Sequence, residues 1–67
     1  MKIVSIGSGG SFVDIMLSED ELAFSRNDVL ARIFEPARKA FASRFPDKLA
    51  GYIADEARVL ASLGWAT

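Results

Sequence analysis

The stretch most suggestive of ligand chemistry is the glycine-rich run from Gly7 to Ser11, GSGGS. Glycines let several backbone N–H groups point at one anion, as phosphate-binding loops do. A P-loop, however, has a Lys-Ser/Thr pair directly after its last glycine, and a dinucleotide-binding loop opens a helix. Here the following residues, FVDIML, have strand character instead. The run therefore predicts a hairpin turn and not an anion site.

Carboxylates are the second candidate for chemistry, in the trio Glu19-Asp20-Glu21 and the pair Asp55-Glu56. Neighbouring side chains on a helix point about 100° apart, so neither group converges on one point by itself. The chain has no histidine and no cysteine, which removes the commonest general base and every thiolate metal ligand. We therefore expect no enzymatic activity, no catalytic residues, no cofactor and no metal.

Charge is distributed unevenly along the chain. Residues 11–22 contain four acids and no base, whereas residues 25–45 contain two acids and five bases: Arg26, Arg32, Arg38, Lys39 and Arg44. The spacing predicts that Arg32 pairs with Asp28 and that Lys39 pairs with Glu35. Arg26 and Arg44 fall between two apolar stripes, where they must pair, extend to solvent or contact a partner. A net charge of −1 favours neither nucleic-acid nor membrane binding.

Two short runs rich in apolar residues predict a β-hairpin over residues 2–17, in which residues 2–6 and 12–17 are extended. Alternation of side chains places one set on the inner face of this hairpin, toward the helices. That set is Val4, Ile6, Val13, Ile15 and Leu17. The outer face then carries Ile3, Phe12 and Met16 around Asp14.

A helical region is predicted over residues 19–45. Ser18 and Glu21 have capping-box spacing, so a helix should begin at Glu19. The main apolar stripe of this region comprises Leu30, Phe34, Ala37, Phe41 and Phe45, and a second stripe comprises Val29, Ile33 and Ala40. We expect a break near Pro36, because proline removes a backbone donor and crowds the preceding turn. Continuity through Asn27 stays open, since Ser25 to Asp28 includes good N-cap residues for a restart at Asp28.

A last helix is predicted over residues 47–63. Its apolar positions at helical spacing are Leu49, Ile53, Ala57, Leu60 and Leu63. Gly64 suits the position after the helix end, and Trp65 is placed to fold back onto that end. The sequence thus predicts one α+β domain over residues 1–67, a two-stranded antiparallel hairpin followed by two or three helices (ββαα or ββααα). Phe34 and Phe41 should form its core.

Exposed apolar side chains and unpaired strand edges on so short a chain predict an interface. A domain of this size buries only about 60% of its unfolded surface, so association would add needed stability. We expect a two-fold dimer through the hairpin. The candidate interface residues are Ile3, Phe12, Asp14, Met16, Arg26 and Arg44.

The passage IMLSEDELAFSRN resembles the strand-to-helix junction of various very small bacterial proteins, some associated with toxin immunity or mobile elements. The resemblance rests mostly on a capping box and leucines, and it transfers no function. Size, charge distribution and missing catalytic residues favour a non-enzymatic protein-binding module that inhibits another protein, of the immunity type or the phage-encoded anti-host type, such as anti-CRISPR proteins. The alternative is a small nucleic-acid-binding or regulatory module that uses the basic middle helix. Without a signal peptide or membrane span, we expect a cytoplasmic protein whose partner is a protein and not nucleic acid or a membrane.

Overall fold

The computed structural model describes residues 1–65. Two strands, β1 (Lys2–Ser8) and β2 (Ser11–Leu17), are followed by the short helix α1 (Glu19–Leu22). Then come α2 (Arg26–Val29), a π-helical turn (Leu30–Phe34), α3 (Glu35–Arg44), a 3₁₀ turn (Pro46–Lys48) and α4 (Leu49–Ser62). The predicted α+β fold, an antiparallel two-stranded hairpin followed by helices, is confirmed.

The hairpin turn consists of Gly9 and Gly10, whose φ angles of 58° and 86° are those of a type I′ turn. Both strands extend closer to this turn than the sequence predicts, so that Ser8 pairs with Ser11. In a hairpin with a two-residue turn, the residue pair that flanks the turn exchanges backbone hydrogen bonds. Along the strands, such hydrogen-bonded pairs alternate with pairs that are not hydrogen-bonded to each other. The pairs Ile3–Met16, Ser5–Asp14 and Gly7–Phe12 therefore point their backbone polar groups away from the other strand.

The two faces of the hairpin have the predicted composition. Ile6, Ile15 and Leu17 are buried against the helices, while Val4 and Val13 are partly buried beside them. This inner face supplies the hairpin's share of the core. Phe34 and Phe41 supply the largest apolar side chains opposite it, as predicted, and are 2% and 1% exposed.

The helical region has its interruption at a different place from the one predicted. The backbone stays helical through Pro36, and the chain leaves the helix at residues 23–25 instead. There the Ser25 hydroxyl accepts a hydrogen bond from the Asp28 N–H at 3.3 Å, which caps a new helix beginning at Arg26. The predicted capping box is present, since Ser18 Oγ accepts from the Glu21 N–H at 3.1 Å. It starts a helix of only four residues.

The π-helical turn explains why Pro36 does not break the helix. The Glu35 N–H bonds to the carbonyl of Leu30, five residues back, and this wider turn lies directly before the proline. It relieves the crowding that a proline ring causes in a regular α-helix. Val29 and Phe34, also five residues apart, are both buried. We call the continuous unit of α2, the π-helical turn and α3 the central helix.

Helix α4 packs with a face rotated from the one predicted, so that Leu60 and Leu63 contact the core as expected but two other predicted positions do not. Its buried residues are Tyr52, Glu56 and Val59, whereas Ile53 is 47% exposed and Ala57 is also exposed. The assignment of Ile53 and Ala57 to the apolar stripe is therefore wrong. The Tyr52 ring stacks on Phe41 with 4.5 Å between centroids, which fixes this rotation of the helix.

The C-terminal end of α4 follows the prediction. Gly64 has a φ of 79°, and its N–H bonds to the Ala61 carbonyl at 3.0 Å. The Trp65 N–H bonds to the Leu60 carbonyl at 2.8 Å, which completes a Schellman motif. The indole of Trp65 folds back and meets Phe34 edge to face, with 6.2 Å between centroids.

Candidate functional site

The outer face of the hairpin brings together four of the six residues predicted from the sequence. Ile3, Phe12 and Met16 are 60%, 68% and 62% exposed, and Asp14 is exposed between them. Ile3 and Met16 form a cross-strand pair at one end. In the middle, the Ser5 hydroxyl donates to Asp14 Oδ1 at 2.6 Å. We call this apolar–polar–apolar surface, with Phe12 at its other end, the outer hairpin face.

The outer edge of β2 adjoins this face and carries open backbone groups. Phe12, Asp14 and Met16 point their N–H and C=O groups away from β1, and none of these groups meets a hydrogen-bond partner within residues 1–65. The edge of β1 differs, because the Gly7 N–H donates to Asp55 Oδ2 at 3.0 Å. Within residues 1–65 the β1 edge is thus engaged only at Gly7, whereas the β2 edge is open along its length and is the one we consider for strand pairing.

Helix α4 and the turn before it hold the hairpin in place. Lys48 Nζ donates to the Gly9 carbonyl at 3.2 Å and to Ser11 Oγ at 3.1 Å. The guanidinium of Arg58 and the Gly7 N–H together hold the pKa of Asp55 below its usual range. Because these contacts fix the turn from the inner side, the outer hairpin face is preorganised for binding.

Arg26 and Arg44, the other two predicted interface residues, lie elsewhere. Arg26 Nη1 donates to the Trp65 carbonyl at 3.2 Å, and the Arg44 guanidinium lies 5.8 Å from the centroid of the Phe45 ring. They occupy opposite ends of the central helix, which packs on the inner side of the hairpin. The structure therefore does not join them to the outer hairpin face.

The basic side chains of the central helix each make separate contacts with nearby residues. Lys39 pairs with Glu35 at 3.3 Å, as predicted. The predicted pair of Asp28 and Arg32 is not formed; the Arg32 guanidinium lies 5.7 Å from the centroid of the Phe24 ring instead. That contact follows from the helix interruption at residues 23–25, because the chain turns there and places Phe24 beside the central helix.

A cleft of about 300 Å³ between the central helix and α4 is a second candidate site. We call it the interhelical cleft. Leu30, Ala31, Phe34 and Leu60 form its apolar wall, and its polar lining comprises Asn27, Glu35, Arg38 and Glu56.

Glu56 is the unusual residue of this cleft. Its side chain is only 8% exposed, and Oε1 accepts a hydrogen bond from Arg38 Nη1 at 3.2 Å. The other oxygen, Oε2, is buried and has no partner within residues 1–65. A buried carboxylate oxygen without a donor is costly, so a donor that displaced the side chains covering Oε2 would gain a favourable hydrogen bond.

Tyr52, one helical turn before Glu56, is in a similar environment. It is fully buried, and its hydroxyl has no hydrogen-bond partner within residues 1–65. Burial and, after it, the charge of Glu56 raise the pKa of Tyr52 to about 12. The interior behind the cleft therefore disfavours negative charge that is not compensated.

The interhelical cleft was not predicted from the sequence, where Glu56 stands out only as the neighbour of Asp55. The spacing of residues in α4 does indicate that Glu56 is buried. Tyr52, Glu56, Val59 and Leu63 follow at steps of four, three and four, so Glu56 stands within an apolar helical repeat. A charged residue in such a repeat is buried with a partner, which here is Arg38.

Comparison with protein-family models, curated proteins and solved structures finds no match for this chain. Within residues 1–65, no helix has the length and apolar character to cross a bilayer. The same part of the chain contains no cluster of three acidic side chains arranged to hold a metal ion.

Proposed function

We propose that this chain binds another protein through the outer hairpin face and the edge of β2, and that it inhibits that partner by covering its surface. The observation that carries this proposal is the coincidence of three exposed apolar side chains with an open strand edge. Single exposed apolar residues are ordinary on protein surfaces, but a cluster beside unpaired backbone groups is typical of binding sites.

The partner we expect is an extended segment that adds to β2 as a third strand. Main-chain hydrogen bonds to Phe12, Asp14 and Met16 would supply affinity, and side chains on the outer face would supply specificity. Asp14 is exposed and forms no ion pair within residues 1–65. A segment with a basic residue between two apolar residues therefore complements the apolar–polar–apolar pattern.

The area that an ordinary protein–protein interface buries indicates that the contact extends beyond three side chains. The chain exposes 4284 Å², so an interface of ordinary size, about 800 Å² on each side, would cover nearly a fifth of it. The exposed acids Glu19 and Asp20 begin α1, just beyond the end of β2, and add to the acidic character of this part of the chain. A basic partner surface suits this region as well.

The inhibitory role, of the immunity or phage-encoded anti-host type, is supported by the kind of surface involved. The outer hairpin face is rigidly held, apolar and provided with a single carboxylate. Such a surface suits the binding of another protein better than catalysis. A nucleic-acid-binding role through the central helix is less favoured, because Lys39 and Arg38 are engaged by Glu35 and Glu56.

The test is site-specific photo-crosslinking from the hairpin in a bacterial lysate. A photoreactive residue replaces Met16 in one variant and the exposed Ala54 of α4 in a second. We expect one protein to be captured from position 16 and not from position 54. Equal capture at both positions, or none from position 16, would contradict the proposal.

The captured protein then allows a measurement of affinity with matched variants. Phe12→Glu should weaken binding by at least about tenfold, because it places a charge in the apolar part of the interface. Ile53→Glu introduces the same charge at another exposed apolar position and should leave binding unchanged. Loss of binding in both variants, or in neither, would remove the outer hairpin face from the contact.

A further inference from the structure

We propose that the interhelical cleft binds a primary alkylammonium group, which displaces Arg38 from Glu56 and donates hydrogen bonds to the Glu56 carboxylate while its alkyl chain packs on Leu30, Phe34 and Leu60. This site shares no residue with the outer hairpin face, so the inference goes beyond the proposed function. Its starting point is a carboxylate held inside the protein with only one of its two oxygens engaged.

The missing hydrogen-bond donor at Glu56 defines the chemistry of the ligand. A buried carboxylate accepts hydrogen bonds and offers none, so a complementary group must be a donor. Glu35 is paired with Lys39, so Glu56 is the carboxylate of the lining that loses its only cation when Arg38 is displaced, and a positively charged donor is then favoured over a neutral or an anionic one. An ammonium ion satisfies both conditions, since it carries three donors and one positive charge.

The cleft limits the size of the ligand. A volume of about 300 Å³ lies at the lower end of the range for small-molecule sites, and half of the lining residues are apolar. A chain of a few carbons with a terminal ammonium fits this description. The same chemistry occurs in a free alkylamine and in a lysine side chain of a peptide.

Arg38 controls access to the carboxylate. Its side chain is 40% exposed, whereas that of Glu56 is 8% exposed, so the guanidinium covers the carboxylate from the solvent side. An arriving ammonium competes with Arg38 for Glu56. Removal of the guanidinium should therefore strengthen ammonium binding, the opposite of what loss of a merely structural ion pair would do.

The wall of the cleft includes the π-helical turn, which contributes Leu30, Ala31 and Phe34. Turns of this kind are frequent at functional sites, because they displace side chains from regular helical positions. Phe34 also contacts Trp65, the single tryptophan of the chain. Tryptophan fluorescence therefore reports on the occupancy of the cleft.

The experiment titrates the folded chain with n-butylammonium and follows Trp65 fluorescence and backbone amide chemical shifts. The neutral isostere n-butanol serves as the ligand control. We expect saturable binding of butylammonium in the millimolar range, with shifts concentrated at Leu30, Phe34 and Leu60. Equal shifts with butanol, or no saturation with butylammonium, would overturn the proposal.

Variants separate the proposed site from general charge effects. Glu56→Gln should weaken butylammonium binding at least tenfold, Arg38→Met should strengthen it, and Glu19→Gln, on the exposed surface of α1, should leave it unchanged. Thermal melts establish that each variant is folded. If Glu56→Gln fails to fold, the sign of the Arg38→Met effect decides, and weaker binding there would overturn the proposal.

A final arm distinguishes the two sources of the ammonium group. Nα-acetyl-lysine-methylamide is compared with butylammonium, and its Nε-acetylated form is the control. Tighter binding of the lysine derivative assigns the cleft to a lysine of a peptide, and tighter binding of butylammonium assigns it to a free amine. Binding of the Nε-acetylated form as strong as that of the free lysine derivative would overturn the proposal.

Discussion

Tyr52 gives the structure its clearest dependence on pH. Its pKa is about 12 in the folded chain, against 10.0 for the unfolded residue, so folding favours the neutral phenol. The associated stability is present below pH 10 and is lost as the pH rises toward 12. A difference of this size corresponds to about 3 kcal/mol, a large part of the ~3–5 kcal/mol typical of so small a domain. We therefore expect alkaline unfolding between pH 10 and 12, measured by circular dichroism.

The single tyrosine allows a direct control for this prediction. Tyr52→Phe removes both the titrating group and an unpaired buried hydroxyl, so it should unfold at higher pH and be at least as stable at neutral pH. Ultraviolet absorbance of tyrosinate in the native chain should rise together with unfolding. A rise near pH 10 while the fold persists would mean that Tyr52 is accessible.

The phenylalanines should differ sharply in their contribution to stability. Truncation of a buried phenylalanine costs ~3–5 kcal/mol, so Phe34→Ala or Phe41→Ala should unfold the isolated chain at room temperature. Phe12→Ala should retain the fold, because its ring is 68% exposed. Thermal melts of the three variants measure this difference, and a tolerant Phe34 together with a costly Phe12 would contradict the assigned faces.

Some residues could be placed from the sequence, and others could not, for physical reasons. The alternation in the strands, the Ser18–Glu21 capping box and Gly64 at the helix end are local rules that nothing in the tertiary structure overrides. Glu56 was misjudged because its burial depends on Arg38, 18 residues away in the sequence. Pairing over such a distance is a property of packing and not of local pattern.

At the scale of elements, Gly51 shows why α4 lies so close to the hairpin. A methyl group at Gly51 would overlap Ser8 Oγ and come within 2.9 Å of Ser8 Cβ. Gly51→Ala gains up to about 1 kcal/mol of helix propensity, but overpacking typically costs ~1–3 kcal/mol. We therefore expect a net loss of stability in thermal melts, although alanine is the better helix former.

A second variant tests the cause of that loss. Ser8→Gly removes both atoms that the new methyl group would meet, so Gly51→Ala should become stabilising in the Ser8→Gly background. This reversal of sign distinguishes a steric contact from a general effect on the helix. A destabilisation of equal size in both backgrounds would mean that Ser8 is not the obstacle.

The central helix illustrates the limit of sequence reasoning about elements. Pro36 predicts an interruption by a correct local argument, yet the π-helical turn before it removes the crowding and keeps the helix continuous. The burial of both Val29 and Phe34 holds that turn in place through contacts with other elements. The interruption at residues 23–25 depends on Ser25, whose N-cap signal the sequence does contain.

At the scale of the whole molecule, nucleic-acid binding should be weak and non-specific. Arg38 and Lys39 are ion-paired within the chain, and the net charge is −1, so few phosphates can be contacted together. Fluorescence anisotropy with labelled duplex DNA measures this affinity. Tight binding that falls by orders of magnitude between about 50 and 200 mM salt would report several released counterions and contradict the expectation.

Self-association through the β2 edge stays a prediction, and Asp14 offers a way to separate it from binding to another protein. In a two-fold pairing of β2 with a second copy, centred on Asp14, the two carboxylates lie opposite each other and repel. Asp14→Asn should therefore strengthen the dimer. Toward a basic partner segment, the same change removes the complementary charge and should weaken binding.

Sedimentation equilibrium at micromolar concentration measures the first effect, with 7.3 kDa as the mass of the monomer. We expect the native chain to exceed this mass, Asp14→Asn to exceed it further, and Phe12→Glu to return to it. A monomer for both the native chain and Asp14→Asn would exclude the dimer, because removal of the carboxylate leaves no charge repulsion at the centre of the pairing. The β2 edge would then be open only to a partner of different sequence, whose affinity Asp14→Asn should lower.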